Sequence, residues 1–257
     1  MTRQSLGLID RIAQRSALRR WAAAVKEAKT ADLALLKTQR NQARRLRHRL
    51  DELLHVAENR LALPGIDSDA IAAPHDSDWS WRPGLWSGPL PEPGAASVET
   101  GARLGDEVTL FHDCQVSELT LRQLRNTRAA DLSPFGMRMD VFRFDGSYLS
   151  LAVDLPPAAV EGLTRRHLVR VECIVELESP IEIFARLNVK SGPNTEKLVR
   201  ELPLKSQERY VEFDLAYSRL NEKRIEKAWL DLIFEGPQMN QVVLRDLTFS
   251  RRLRAEI

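Results

Sequence analysis

Apolar residues recur with two different periods along this chain. Leu6, Ile9, Ile12, Ala13, Trp21, Val25 and Ala28 fall near helical spacing, with Arg11, Arg15, Arg19 and Arg20 between them, which predicts an amphipathic helix. Residues 4–62 contain no proline, and Gly7 is their only glycine. Thr30 or Asp32 can cap a second helix, unless the chain runs straight through. Leu33, Leu36, Ala43, Leu46, Leu50, Leu53, Ala57 and Leu61 then continue the pattern. Spacings of three and four dominate from Ala43 onward, a short heptad-like seam that Arg40 interrupts upstream. A helix over 32–62 would be about 45 Å long at ~1.5 Å per residue. Such a helix either packs on its own domain, or serves self-association as a coiled coil or docking on a larger assembly.

Pro64-Gly65 ends the helical pattern. Residues 64–103 hold six of the thirteen prolines and few periodic signals, and read as a long connection. Three of the five tryptophans, Trp79, Trp81 and Trp86, lie inside it. A free linker rarely keeps three indoles in water, so this stretch is expected to wrap over the body; an exposed aromatic platform is the alternative.

From about residue 104 the period becomes two. Val169, Val171, Cys173, Val175 and Leu177 share a face against Arg170, Glu172 and Glu176. Ile181, Ile183, Ala185, Leu187 and Val189 repeat this, and further runs centre on Val211–Leu215, Leu230–Phe234 and Val243, Leu247 and Phe249. Asp145-Gly146 is expected to join Met137–Phe144 and Tyr148–Leu155 as a tight hairpin. Turns at Pro156-Pro157, Ser179-Pro180, Ser191–Pro193 and Gly236-Pro237 bound the other runs, with one short helical excursion over Ser218–Lys227. No βαβ rhythm is present. The pattern predicts a mainly β protein: an antiparallel, jelly-roll-like β-sandwich over 104–257, a connection over 64–103, and a basic helical arm over 1–63 in front.

Charge divides along the same line. Residues 1–62 carry 14 Lys/Arg against 6 Asp/Glu, a net of +8, and the remaining 195 residues a net of −6. The arm therefore either touches something anionic or folds onto the acidic body. Cys114 and Cys173 lie far apart and form neither a CxxC pair nor a disulfide framework, which points to a reducing compartment. The first apolar stretch breaks at Asp10, and no window approaches the ~20 apolar residues of a membrane span. Together these predict a cytoplasmic protein with no membrane span.

Candidate chemistry is sparse. Neither a phosphate-binding GxxxxGK[ST] nor a GxGxxG between strand and helix is present. The five histidines sit singly; His48 and His55 are one heptad apart on the basic arm. His112 and Cys114 share a strand face and could activate a thiolate, against the plainer reading of a half-buried cysteine beside a strand-end histidine. Asp231, Glu235, Asp246, Asp140 and Asp145 are the carboxylates that the fold could bring together for glycoside hydrolysis. Arg40–Arg49 is cationic enough for phosphate contacts, but no aromatics interleave for base stacking, so nucleic acid is not the expected partner.

Ala228–Glu235, the turn Gly236–Asn240 and Val242–Ser250 resemble the closing hairpin of galactose-binding-like jelly rolls, which often end on a strand with an acidic residue between apolar ones, as Asp246 is here. Asp78–Trp86, Leu104–Asp113 and Phe142–Ser150 resemble an uncharacterised family of Rhodobacter-group alphaproteobacteria, a resemblance that implies a source and no activity. The reading that follows is a non-catalytic binding or assembly protein: the sandwich presents a ligand or partner surface, and residues 1–62 supply a protein partner's docking site or self-association. The alternative is a carbohydrate-binding jelly roll, intracellular or from a phage-like particle, with Trp79, Trp81, Trp86 or Trp229 stacking on sugar rings. A hydrolase without a recognisable motif is the third. No cofactor, metal or catalytic residue is predicted.

Overall fold

Helix α1 spans Leu8–Glu27 and α2 spans Leu33–Leu61 in the computed structural model, which describes residues 8–61, 71, 73–128, 131–204 and 209–254. The break between them lies where the sequence offers a cap. Asp32 Oδ1 accepts from the Ala34 and Leu35 amides at 2.8 and 2.9 Å, satisfying two of the amides that a helix start leaves unpaired. The chain forms two compact units, residues 1–53 and 54–257, with their boundary inside α2. No described helix is long and apolar enough to cross a membrane.

The second unit is a sandwich of two antiparallel sheets. Its strands are β1 (Ser77–Trp81), β2 (Gly94–Ala96), β3 (Ala102–Leu104), β4 (Val108–His112), β5 (Leu119–Arg125), β6 (Phe135–Val141) and β7 (Leu149–Asp154). They continue with β8 (His167–Leu177), β9 (Ile183–Ser191), β10 (Asn194–Glu201), β11 (Tyr210–Asp214), β12 (Ile225–Phe234) and β13 (Asn240–Leu253). One sheet has seven strands in the order β11-β8-β13-β6-β5-β2, with β1 also on β13; the other has six, β10-β9-β12-β7-β4-β3. This is the mainly β sandwich behind a helical arm that the two periods predict.

The alternating positions meet between the sheets. Val169, Val171, Phe213 and Phe249 come from one sheet, and Leu187, Leu230, Leu232 and Leu151 from the other, all buried in one core. Each such side chain contributes about 1.5–3 kcal/mol by leaving water. A bulge at Arg245 shifts the β13 register between Leu244 and Asp246. Val242, Leu244, Leu247 and Phe249 therefore face inward together, and Val243 lies on the opposite side from the Leu247 and Phe249 with which strict alternation groups it.

Four details differ from the sequence reading. The stretch 64–103 supplies β1, β2 and β3, because its alternating Trp79 and Trp81 pair along β13. Asp145-Gly146 is not a hairpin turn: β6 belongs to the seven-stranded sheet and β7 to the six-stranded one, and neither residue has the positive φ that a type I′ turn requires. The run from β12 to β13 likewise passes from one sheet to the other instead of closing a hairpin. The Ser218–Lys227 excursion is a single short 3-10 turn at Glu222–Arg224, and another such turn, Leu215–Tyr217, precedes it. A two-residue hairpin does occur at Gly192-Pro193, where Gly192 takes φ 60° between β9 and β10.

Candidate functional site

Trp86 is fully buried. It sits in the single helical turn Gly84–Ser87 (α3), and its indole nitrogen donates 3.1 Å to the Leu244 carbonyl beside the bulge. Gln123 fastens this turn by donating to the carbonyls of Leu85 and Gly88 and accepting from the Leu90 amide. Trp79 and Trp81 lie opposite Arg251 and Phe249 in β13, half-buried against the core. Their rings stack at 6.5 Å, and Trp81 lies 5.6 Å from Phe249. These three indoles hold β1 and α3 on the body. Trp229 stands apart from them, on the outward side of β12.

That outward face of the six-stranded sheet is built by register. Trp229 lies between Asn188 of β9 and Asp154 of β7; Asp231 between Arg186 and Ala152; Ile233 between Phe184 and Ser150. Val199 of β10 extends the middle row, and Phe111 of β4, 39% exposed, extends the last. The intervening residues Leu230, Leu232 and Leu187 point into the core, so this set shares the other side.

A charged network lies at its centre. Arg186 donates to Asp231 Oδ2 from Nε at 3.0 Å and from an Nη at 2.8 Å, and Asn188 Nδ2 donates to the same oxygen at 2.9 Å. Asn188 and Asp231 are buried, whereas Arg186 is partly open. The ammonium of Lys227 sits 5.1 Å from the centroid of the half-buried Trp229 ring, a cation–π contact at the edge of the network. An aromatic plate, a guanidinium and a carboxylate thus lie side by side on an open sheet. Three donors converge on one Asp231 oxygen, which leaves Oδ1 for a further donor.

Cys114 and His112 do not form a nucleophile. The buried His112 ring has Nε2 2.9 Å from the Val98 carbonyl, so Nε2 carries the proton and Nδ1 accepts from the Cys114 amide, not its thiol. Burial pushes the thiols of both Cys114 and Cys173 up, away from the reactive thiolate. The candidate carboxylates are dispersed. Asp246 pairs with Arg82, and Asp140 with Arg138 and Thr120, on the outward side of the seven-stranded sheet; Asp145 accepts from the Gln115 amide. His48 Nε2 lies 3.2 Å from Glu52 Oε1, one turn along α2, and the His55 side chain lies outside the described residues.

Sequence reading singles out Trp229 and Asp231 but not Arg186 or Asn188 as partners. Residues 186 and 231 are 45 positions apart, and only the β9–β12 register brings them together. The one legible signal is Asn188, an uncharged amide in an outward run of longer side chains.

Several solved structures align with part of this chain at low identity. Tailspike protein 4 of bacteriophage CBA120 aligns with a TM-score of 0.40 and 8% identity over 62% of this chain and 21% of the tailspike chain, so the match spans about a fifth of that protein. A family 11 carbohydrate-binding module from Clostridium thermocellum, in complex with a β-1,3-1,4-mixed-linked tetrasaccharide, aligns at 0.36 with 12% identity over 64% of this chain and 99% of the module. The CBM22-1 xylan-binding domain of Paenibacillus barcinonensis Xyn10C aligns at 0.34 with 10% identity, over 63% and 94% of the two chains. No curated protein matches the sequence. Residues 1–257 match the family of unknown function DUF6478 from end to end, and the chain belongs to that family.

Proposed function

We propose that this protein is a non-catalytic binding protein whose six-stranded sheet takes a carbohydrate on its outward face. The observation that carries this reading is Trp229 standing beside the Arg186–Asp231–Asn188 network. A sugar ring offers an apolar C–H face and a rim of hydroxyls. An indole supports the first, and the open part of the Arg186 guanidinium, held in place by Asp231, donates to the second. A network built only for stability gains little here, since burying a charged pair seldom beats an apolar packing of the same volume. Of the four tryptophans considered from sequence, Trp229 is the one this reading retains. The arm is its docking segment, because Leu46, Leu50 and Leu53 of α2 are 41, 48 and 63% exposed.

The test is a glycan array on the full chain, followed by calorimetric titration of each hit. Trp229→Ala should weaken binding about tenfold, the worth of roughly 1.5 kcal/mol from one lost stacking contact. Asp231→Asn should weaken it as well, with the thermal midpoint tracked alongside. Binding that survives Trp229→Ala unchanged, or an array with no hit, rejects the sheet face as a sugar site.

A further inference from the structure

Helix α2 carries an apolar stripe edged with arginine on both sides. At 3.6 residues per turn, Leu36, Ala43, Leu46, Leu50, Leu53 and Leu54 fall within a sector about 100° wide. Arg40, Arg44 and Arg47 follow one edge of that sector, and Arg45 and Arg49 the other. From Leu33 to Leu50 the helix has no Asp or Glu at all, so Arg40, Arg44 and Arg45 have no carboxylate three or four positions away. The acids that follow pair only at the surface: Arg47 with Asp51 at 3.6 Å and Arg49 with Glu52 at 2.9 Å, contacts worth little against solvent. Leu46, Leu50, Leu53, Leu54 and Val56 are all exposed.

This layout constrains what covers the stripe. A second copy laid parallel and in register along it would set arginine against arginine on both flanks, where a coiled coil needs opposite charges. A helix that lies in a bilayer surface has the opposite need. Its leucines enter the acyl boundary, while arginines on each edge lay their stems along the apolar layer and raise their guanidinium groups to the phosphates. The stripe is too interrupted and too charged to cross the bilayer, in keeping with the absence of any described spanning helix.

We infer that α2 docks this protein on an anionic phospholipid surface, lying flat in the interface with the Leu46–Leu54 stripe inward. This rests on reading the arm as a docking segment, and it is independent of the sugar face. The experiment is co-sedimentation of the full chain with vesicles of phosphatidylcholine alone and of phosphatidylcholine mixed with phosphatidylglycerol, with sedimentation equilibrium of the protein without lipid. The expected result is partition onto the mixed vesicles and not the neutral ones, weakened by raised salt. Arg44→Gln and Arg45→Gln should each reduce partition about five-fold. Leu50→Gln with Leu53→Gln should abolish it; far-UV circular dichroism confirms that the helix persists in every variant. Equal binding to both vesicles overturns the electrostatic assignment. A protein that ignores both vesicles but is a dimer, dissociated by the leucine variant, overturns the lipid surface and keeps the arm as a docking segment with a second copy as its occupant. A monomer that binds neither vesicle overturns both.

Discussion

At the scale of single residues, a few charges bury themselves in pairs that hold the added segments on the sandwich. Arg82 meets Asp246 with two bonds of 2.9 Å, with side chains only 3 and 7% exposed. Asp246→Ala should lower stability by about 3 kcal/mol in urea unfolding, because it removes the carboxylate that takes two bonds from a buried guanidinium; changing both partners to apolar residues should cost far less. Asp131 and Asp140 predict the response to acid. Burial pushes each carboxyl up, but Arg128 and Arg138 respectively outweigh it and hold both below the ordinary carboxylate range. Their contribution is therefore complete above the unfolded-state pKa and is lost as pH falls through the folded-state values. The thermal midpoint should stay level from neutrality to about pH 5 and then decline. Asp140→Asn should lower the midpoint at neutral pH and make that decline shallower.

At the scale of elements, local chemistry was readable where it acts locally. Asp32 caps α2 as its side chain and position suggest, and Asp32→Ala should cost about 1 kcal/mol and reduce the far-UV helical signal. The alternating strands β8, β9 and β12 were legible for the same reason, since one buried face imposes period two. What failed were inferences about which neighbours a strand takes. Asp145-Gly146 carries the composition of a tight turn, yet Gly146 serves close approach instead: a Cβ there would fall 2.5 Å from Asp113 Oδ1 and 3.1 Å from Cys114 Sγ. The Asp113 carboxylate accepts from the Ser147 amide at 2.7 Å and its hydroxyl at 2.6 Å, which fixes the crossing between sheets. Composition marks such a bend but does not encode whether the chain pairs back or crosses over. The bulge at Arg245 was hidden for a similar reason, since its effect is a register shift and its residue is unremarkable on the surface of a strand.

At the scale of the whole molecule, the sandwich was legible as a class and its candidate face was not. Period two announces that two sheets will bury their alternate residues, and it predicts the identity of most core positions. It says nothing about which outward rows align, and Arg186, Asn188, Trp229 and Asp231 become a site only once β9 and β12 are set side by side. The strand order carries a further implication for how the protein is made. β13 pairs with β8, β6 and β1 and lies in the middle of its sheet, although it is the last of the described strands in sequence order. A ribosome producing this protein in vectorial order delivers β1, β6 and β8 well before the strand that joins them. The seven-stranded sheet is complete only once residue 253 has emerged, so the edges of β8 and β6 that β13 joins wait unpaired until then, and the nascent chain becomes a client for whatever shields exposed strands in the cell.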